Sequence, residues 1–178
     1  MISRYKATAL AIAVFAALAC ASPALAAASS QTSWTGLVTY VVDGDTVRVR
    51  PPDGGEPVSI RIDGIDAPEI CQSGGTVARD ALKRRVLGER VVVQGKVRDN
   101  YGRLVARIVL NKQDQGKWLV SQGLAWSYHY RNNAGPYAVE QGRAQAARLG
   151  MFARAYAAAP VYPAEFRKKH GSCYARYR

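Results

Sequence analysis

The sequence predicts an α+β fold in which five short strands curl into a small closed β-barrel, with about three helices inserted and appended. Three observations point to it. Several strand-length stretches alternate apolar and polar residues between turn signals, and longer stretches carry apolar residues at helical spacing. The length leaves room for a single hydrophobic core, and closing a small sheet on itself removes its unpaired edges. The pattern alone is also compatible with an open α+β sheet.

Taken in order, Thr35 to Val42 reads as the first strand. Thr46-Val47-Arg48-Val49-Arg50 alternates cleanly, so the valines face one side and the arginines the other. Pro51 to Gly55 is a turn, and Val58, Ile60 and Ile62 line one face of a third strand. Ala78, Ala81, Leu82 and Val86 predict a helix over about Thr76 to Leu87, stopped by Gly88 in a left-handed conformation. Arg90 to Val97 alternates again, Asp99 to Gly102 turns, and Leu104 to Leu110 returns. A second helix is expected around Gly116 to Gln122, with Trp118 and Leu119 inward, and a third over about Tyr137 to Leu149. Trp118 and Trp126 are expected in the core.

The chain begins with Arg4 and Lys6, continues with an uninterrupted apolar run from Ala9 to Ala19, and reaches Ala24-Leu25-Ala26. A basic start, a short apolar run and small residues at a cut site predict an export signal over residues 1–26. A retained anchor, or a lipid on Cys20, fits the same residues less well. The expected compartment is the periplasm or the exterior, with no stable membrane insertion once the signal is cut. Cys71 and Cys173 can pair in such an oxidising place, which would tie the tail to an internal loop. Residues 153–178 form a basic C-terminal extension.

The net charge is +12, unevenly distributed. Residues 27–76 hold three basic and seven acidic side chains, whereas residues 77–131 hold twelve and four, and residues 132–178 eight and two. An acidic island in basic surroundings suits a polyanion that meets a cation-binding pocket, although many exported proteins are simply basic. Asp43, Asp53 and Asp63 each precede a glycine and read as turn residues, and Glu56 suits a solvated edge. Asp45, Asp66 and Glu69 are left over. Pro68 stiffens the Asp66–Glu69 loop, and hairpin geometry can bring Asp45 beside it. Hard oxygen donors favour Ca²⁺ or Mg²⁺ over zinc, and a flexible loop-borne site leans towards calcium. Arg61 and Arg103 are candidates to direct guanidinium forks at a phosphate. Histidine is nearly absent, so a zinc site built from Cys71, His129, His170 and Cys173 is a remote alternative. No glycine-rich phosphate loop and no serine or cysteine triad is evident.

Three segments, Val42-Asp43-Gly44-Asp45-Thr46, Arg61-Ile62-Asp63-Gly64-Ile65-Asp66-Ala67-Pro68-Glu69 and Asp99-Asn100-Tyr101-Gly102-Arg103, resemble signature segments of the staphylococcal nuclease (thermonuclease) family, in the family order. Gln122-Gly123-Leu124-Ala125 and the Glu140 to Phe152 helix resemble two further parts, so the resemblance covers roughly residues 34–152. It implies a five-stranded OB-fold barrel and calcium-dependent endonucleolytic hydrolysis of DNA and RNA, single-stranded by preference, leaving 3′-phosphate ends. By the same resemblance Asp45, Asp66 and the Ala67 backbone carbonyl hold Ca²⁺. Glu69 touches the ion through water and serves as general base, and Arg61 and Arg103 are catalytic and hold the phosphate. Asp43 is an acidic neighbour that does not bind the ion. Tyr128, Tyr130 and Tyr137 are candidates to stack on bases, with core packing the alternative for each. A monomer is expected.

The chain departs from the family's pattern at Gly150-Met151-Phe152, where Gly-Leu-Trp is common, and past Arg154. The competing reading is a catalytically inactive single-strand-binding module. Loss of activity would be expected to show as missing carboxylates or arginines, and Asp45, Asp66, Glu69, Arg61 and Arg103 are all present.

Overall fold

The computed structural model describes residues 32–129, 133–154 and 159–173. The expected signal segment at residues 1–26, Tyr130 and the end of the extension lie outside the described residues.

The alternating stretches form the strands that the sequence predicts. β1 (Thr32–Val41), β2 (Thr46–Arg50) and β3 (Val58–Ile62) make an antiparallel meander. β4 (Ile65–Asp66) follows at once, then α1 (Gly75–Val86), β5 (Arg90–Arg98) and β6 (Leu104–Leu110). β5 pairs antiparallel with both β1 and β6, and β3 pairs parallel with β6 through Ile60↔Leu104, Arg61↔Val105 and Ile62↔Ala106. That last pairing closes β1, β2, β3, β5 and β6 into a five-stranded barrel. The result is an OB-fold with helices, and the open-sheet alternative is excluded. Bulges between Val38 and Tyr40 and between Gly95 and Val97 supply the local bending that a small barrel requires.

The inward face of each strand is apolar for the reason its alternation suggested. Val47, Val49, Ile60, Val91, Val93 and Ile108 are fully buried, while Arg48 and Arg50 face solvent. Leu82 and Val86 of α1 and Leu119 and Val120 of α2 (Gln115–Ser121) join the same core. Asp114, from the two-residue β7 (Gln113–Asp114), caps α2 by accepting from the Lys117 amide at 3.1 Å. Gly88 ends α1 at φ 80°, a conformation costly for any residue with a Cβ. Trp118 packs partly buried on the core, with the Arg85 guanidinium 4.3 Å from its ring centre. Trp126, in β8 (Trp126–Ser127), meets Phe152 and Tyr162 edge-on at 5.2 and 5.6 Å.

Two helical expectations need correction. The third helix is shorter than its apolar spacing suggested: α3 spans Ala138–Ala146, Arg148 takes φ 53°, and a 3₁₀ turn at Gly150–Phe152 follows. The Met151 amide in that turn donates to the Gly123 carbonyl at 2.9 Å, so docking on the α2 terminus replaces helix continuation. A fourth helix, α4 (Pro163–His170), lies in the extension. Pro163 suits its first turn, where a missing N–H costs nothing, and four basic residues complement its C-terminal end. Among the described residues no helix is long and apolar enough to cross a membrane.

Ile60 is fully buried at the centre of the closing strand. Ile60→Ala is expected to lower unfolding free energy by about 2–5 kcal/mol in urea titration. A loss below about 1 kcal/mol would show that the barrel interior is not the stabilising core.

Candidate active site

Backbone pairing at the end of the meander assembles the acidic residues. The Val42 amide donates to the Thr46 carbonyl at 2.8 Å and the Ile62 amide to the Asp45 carbonyl at 2.8 Å, which sets Asp45 beside the end of β3. The Asp45 amide is held by Asp43 Oδ1 at 3.0 Å. Asp45 Oδ1 accepts from Thr46 Oγ1 at 3.0 Å, and Asp45 Oδ2 accepts from the Ala67 amide at 2.9 Å. The Asp45 carboxylate is therefore tied directly to the loop that carries the other acids. β4 pairs with β8, Ile65 against Ser127 and Asp66 against Trp126, and this leaves Asp66 fully buried. The loop then closes on itself: the Gln72 amide donates to the Glu69 carbonyl at 2.8 Å, and Gln72 Oε1 accepts from the Glu69 amide at 3.1 Å. Gly75 fits against this loop only because it lacks a side chain, since a Cβ there would stand 1.8 Å from the Glu69 carbonyl oxygen.

Two arginines bind the three carboxylates into one chain. Arg61 Nη1 pairs with Asp45 Oδ1, and its Nη2 donates to Asp66 Oδ1 at 2.9 Å and to the Ile65 carbonyl at 3.2 Å. Arg167 of α4 donates from Nη2 to Asp66 Oδ2 at 3.1 Å, and from Nη1 to Asp66 Oδ1 at 3.2 Å and Glu69 Oε1 at 2.9 Å. The order is Asp45–Arg61–Asp66–Arg167–Glu69. Burial opposes charge on Asp45, but the Arg61 charge and hydrogen bond, with those of Ala67 and Thr46, outweigh it and hold the carboxyl below its ordinary value. Asp66 goes the other way: burial, joined by the neighbouring Asp45 charge, lifts it despite Arg167 and Arg61. Burial also works against Arg61, yet Asp45 and Asp66 raise it further above its already high value.

Among the described residues no group of three or more histidine, cysteine, aspartate or glutamate side chains stands in a metal-holding arrangement. The donor chemistry nevertheless suits a hard divalent cation. Asp45 and Asp66 are carboxylates drawn together on one guanidinium, Ala67 lies against Asp45, and Asp66 carries a buried charge that its neighbours do not fully offset. In this conformation Asp45 Oδ1 and both carboxylate oxygens of Asp66 are engaged by arginine.

A pocket of about 560 Å³ opens over the cluster. Asp45, Arg61, Glu69, Arg103, Tyr101 and Arg167 are among its lining residues. Arg103 sits within it, paired to Asp99 Oδ2 at 2.8 Å, with Tyr101 beside it at 5.3 Å from ring centre to guanidinium carbon. A larger cleft of about 690 Å³ beside α1 and Trp118 is lined by only one carboxylate, Glu89, and by none of the candidate catalytic or metal-binding residues.

The tyrosines distribute differently from the expectation. Tyr137 is buried, with its hydroxyl donating to Asp114 Oδ2 at 2.8 Å, so it packs the protein and its ring is not open to a base. Tyr128 is exposed but does not line the pocket. Among the described residues Tyr101, 85% exposed, is the tyrosine that does, and the sequence reading gave it no role beyond its place in the Asp99–Arg103 turn segment. Cys71 and Cys173 form the expected disulfide, with Cα atoms 5.9 Å apart, which takes both thiolates from the alternative zinc site. His129 lies against Tyr162 and His170 against Phe166. Arg167 went unnoticed in the sequence. The one available signal was the pairing of Cys173 with Cys71, two residues past Glu69.

The fold and site define a small closed barrel that presents carboxylates and guanidiniums in one pocket. The match to the family model "Staphylococcal nuclease homologue" over residues 59–154 narrows the class, and the chain belongs to that family. It is 33% identical to "Protein ParB" of Escherichia coli, over 84% of this chain and 86% of that one. It is 30% identical to an "Uncharacterized endonuclease" of Haemophilus influenzae, over 80% and 78%, and 29% identical to the "Micrococcal nuclease" of Shigella flexneri, over 80% and 87%.

Arg61 compensates two buried acids, so Arg61→Met should cost about 3–5 kcal/mol at neutral pH. Without it both carboxyls titrate above their unfolded values and the native state holds more protons than the unfolded one. The deficit should therefore shrink as pH falls towards 5 and the carboxyls protonate. Urea titrations at both pH values check this, and a deficit that widens on acidification would contradict it.

Proposed function

We propose that this protein is a calcium-dependent endonuclease that hydrolyses phosphodiester bonds of DNA and RNA, prefers single strands and leaves 3′-phosphate ends. The observation that carries the reading is the Arg61 fork held between Asp45 and Asp66, in a pocket that Glu69 and Arg103 also line, in a member of this nuclease family. Asp45, Asp66 and the Ala67 carbonyl would hold the ion, with Glu69 reaching it through water. The bound ion would supply positive charge to a phosphate oxygen and make a nearby water more acidic.

The remaining chemistry falls to the protein. Glu69 takes the proton of the attacking water as its oxygen bonds to phosphorus, and the bond from phosphorus to the 5′-oxygen breaks, that oxygen leaving as a 5′-hydroxyl once it takes a proton from solvent. Arg61 is fixed by its carboxylate partners and donates to a phosphate oxygen as charge develops there, so little reorganisation is required during the reaction. Arg103 approaches the same phosphate from the pocket rim, where its pairing with Asp99 keeps the guanidinium extended. Tyr101 offers an exposed ring beside Arg103 on which a base can stack, and single strands present such bases without prior unpairing. The basic surroundings attract the polyanion. The disulfide fits an exported, periplasmic or secreted, monomer. A binding module that never cuts is the lesser reading, because it leaves the full set of carboxylates and arginines without a task.

Purified protein should degrade denatured DNA and RNA with calcium and stop when a calcium chelator is added. Glu69→Gln and Arg61→Ala should each lower the rate by roughly 10²–10³-fold, the range for loss of one preorganised group. Tight binding without any cleavage would favour the module, and undiminished cutting with chelator would remove the metal from the account.

A further inference from the structure

Residues 159–173 of the C-terminal extension lie past the residues matched to the family, yet they are fastened to the site. Cys173 is bonded to Cys71, Gln72 Nε2 donates to the Val161 carbonyl at 2.7 Å, and Tyr162 packs on Trp126 and His129. All of these attachments meet β8, the residues just after it, or the loop that carries Glu69. Between them α4 extends Arg167 to both oxygens of Asp66 and to Glu69. The side chain is 35% exposed and lines the pocket, whereas Arg61, which lines it too, is only 18% exposed.

Resting on the calcium reading above, we infer that Arg167 is a resident counter-cation of the acidic site: it neutralises Asp66 and Glu69 in the ion-free protein and must release Asp66 before calcium can bind. A guanidinium and a divalent ion cannot share the same carboxylate oxygens at close range, because like charges repel strongly where water is scarce. Arg167 therefore raises the calcium concentration at which the site fills. The disulfide keeps it in place by anchoring the segment six residues beyond it. Arg61 differs in that it binds Asp66 through Oδ1 only and leaves Oδ2 to Arg167.

Calcium titration by calorimetry, without nucleic acid, tests this directly. Arg167→Gln should bind calcium roughly 10- to 100-fold more tightly than the wild type, the range expected for removing competing hydrogen bonds to a charged group. The double variant Cys71→Ser, Cys173→Ser, which keeps Arg167 but frees its anchor, should shift in the same direction by less, and it decides the matter if Arg167→Gln does not fold. Equal or weaker calcium binding in the variants, with clear binding by the wild type, overturns the inference and makes Arg167 a brace for the Glu69 loop or a substrate contact. Absence of calcium uptake by wild type and variants alike sinks the calcium reading itself.

Discussion

Burying a carboxylate is costly unless a fixed positive charge lies against it, and the candidate site is organised around that requirement. Asp66 has no solvent exposure and Asp45 almost none, and both lean on the Arg61 fork. The planar guanidinium serves two acids from separate segments at once, which a lysine point charge could not do with the same geometry. The strand ends, the Asp45–Ala67 bond and the stiff loop at Pro68 all maintain that arrangement. Burial raises both carboxyls, and the opposite displacements follow from what meets it: at Asp45 the Arg61 charge with the Ala67 and Thr46 hydrogen bonds outweighs burial, while at Asp66 burial and the charge of Asp45 outweigh Arg167 and Arg61.

The barrel makes this possible by placing the ends of non-adjacent segments together. The parallel β3–β6 pairing closes the sheet, and it also holds Arg61 opposite Val105, two residues past Arg103. A single closure thus shapes the core and brings both arginines to one pocket. The local turn chemistry is equally economical. Asp99 Oδ1 accepts from the Tyr101 and Arg103 amides, and its Oδ2 takes the Arg103 side chain. One carboxylate therefore both forms the turn and aims the guanidinium.

Much of this was legible in the sequence because it is periodic or clustered. Val47 and Val49 against Arg48 and Arg50, or Leu82 and Val86 four apart, announce an inward face, and the surplus of Asp45, Asp66 and Glu69 over turn-forming acids announces a site. What escaped notice lacks such a period. β4 and β8 are two residues each, too short to alternate. α4 offers little apolar surface and is attached by the Arg167 ion pairs, a disulfide and the aromatic contacts of Tyr162 at its entrance, none of which leaves a helical pattern. Tyr137 was ambiguous for a different reason: a tyrosine that stacks on a base and one whose hydroxyl donates to a half-buried aspartate look identical along the chain.

The contact between Gly75 and the Glu69 carbonyl shows how far the site's tolerances extend beyond its chemistry. The first turn of α1 touches the proposed base's own backbone, so the helix serves as a mechanical stop for that loop. Position 75 has no side chain, meets no ligand and carries no charge. Even a methyl group there would dislodge the carboxylate above it, so a survey of inactivating substitutions would rank this glycine with the reactive residues although its contribution is empty space.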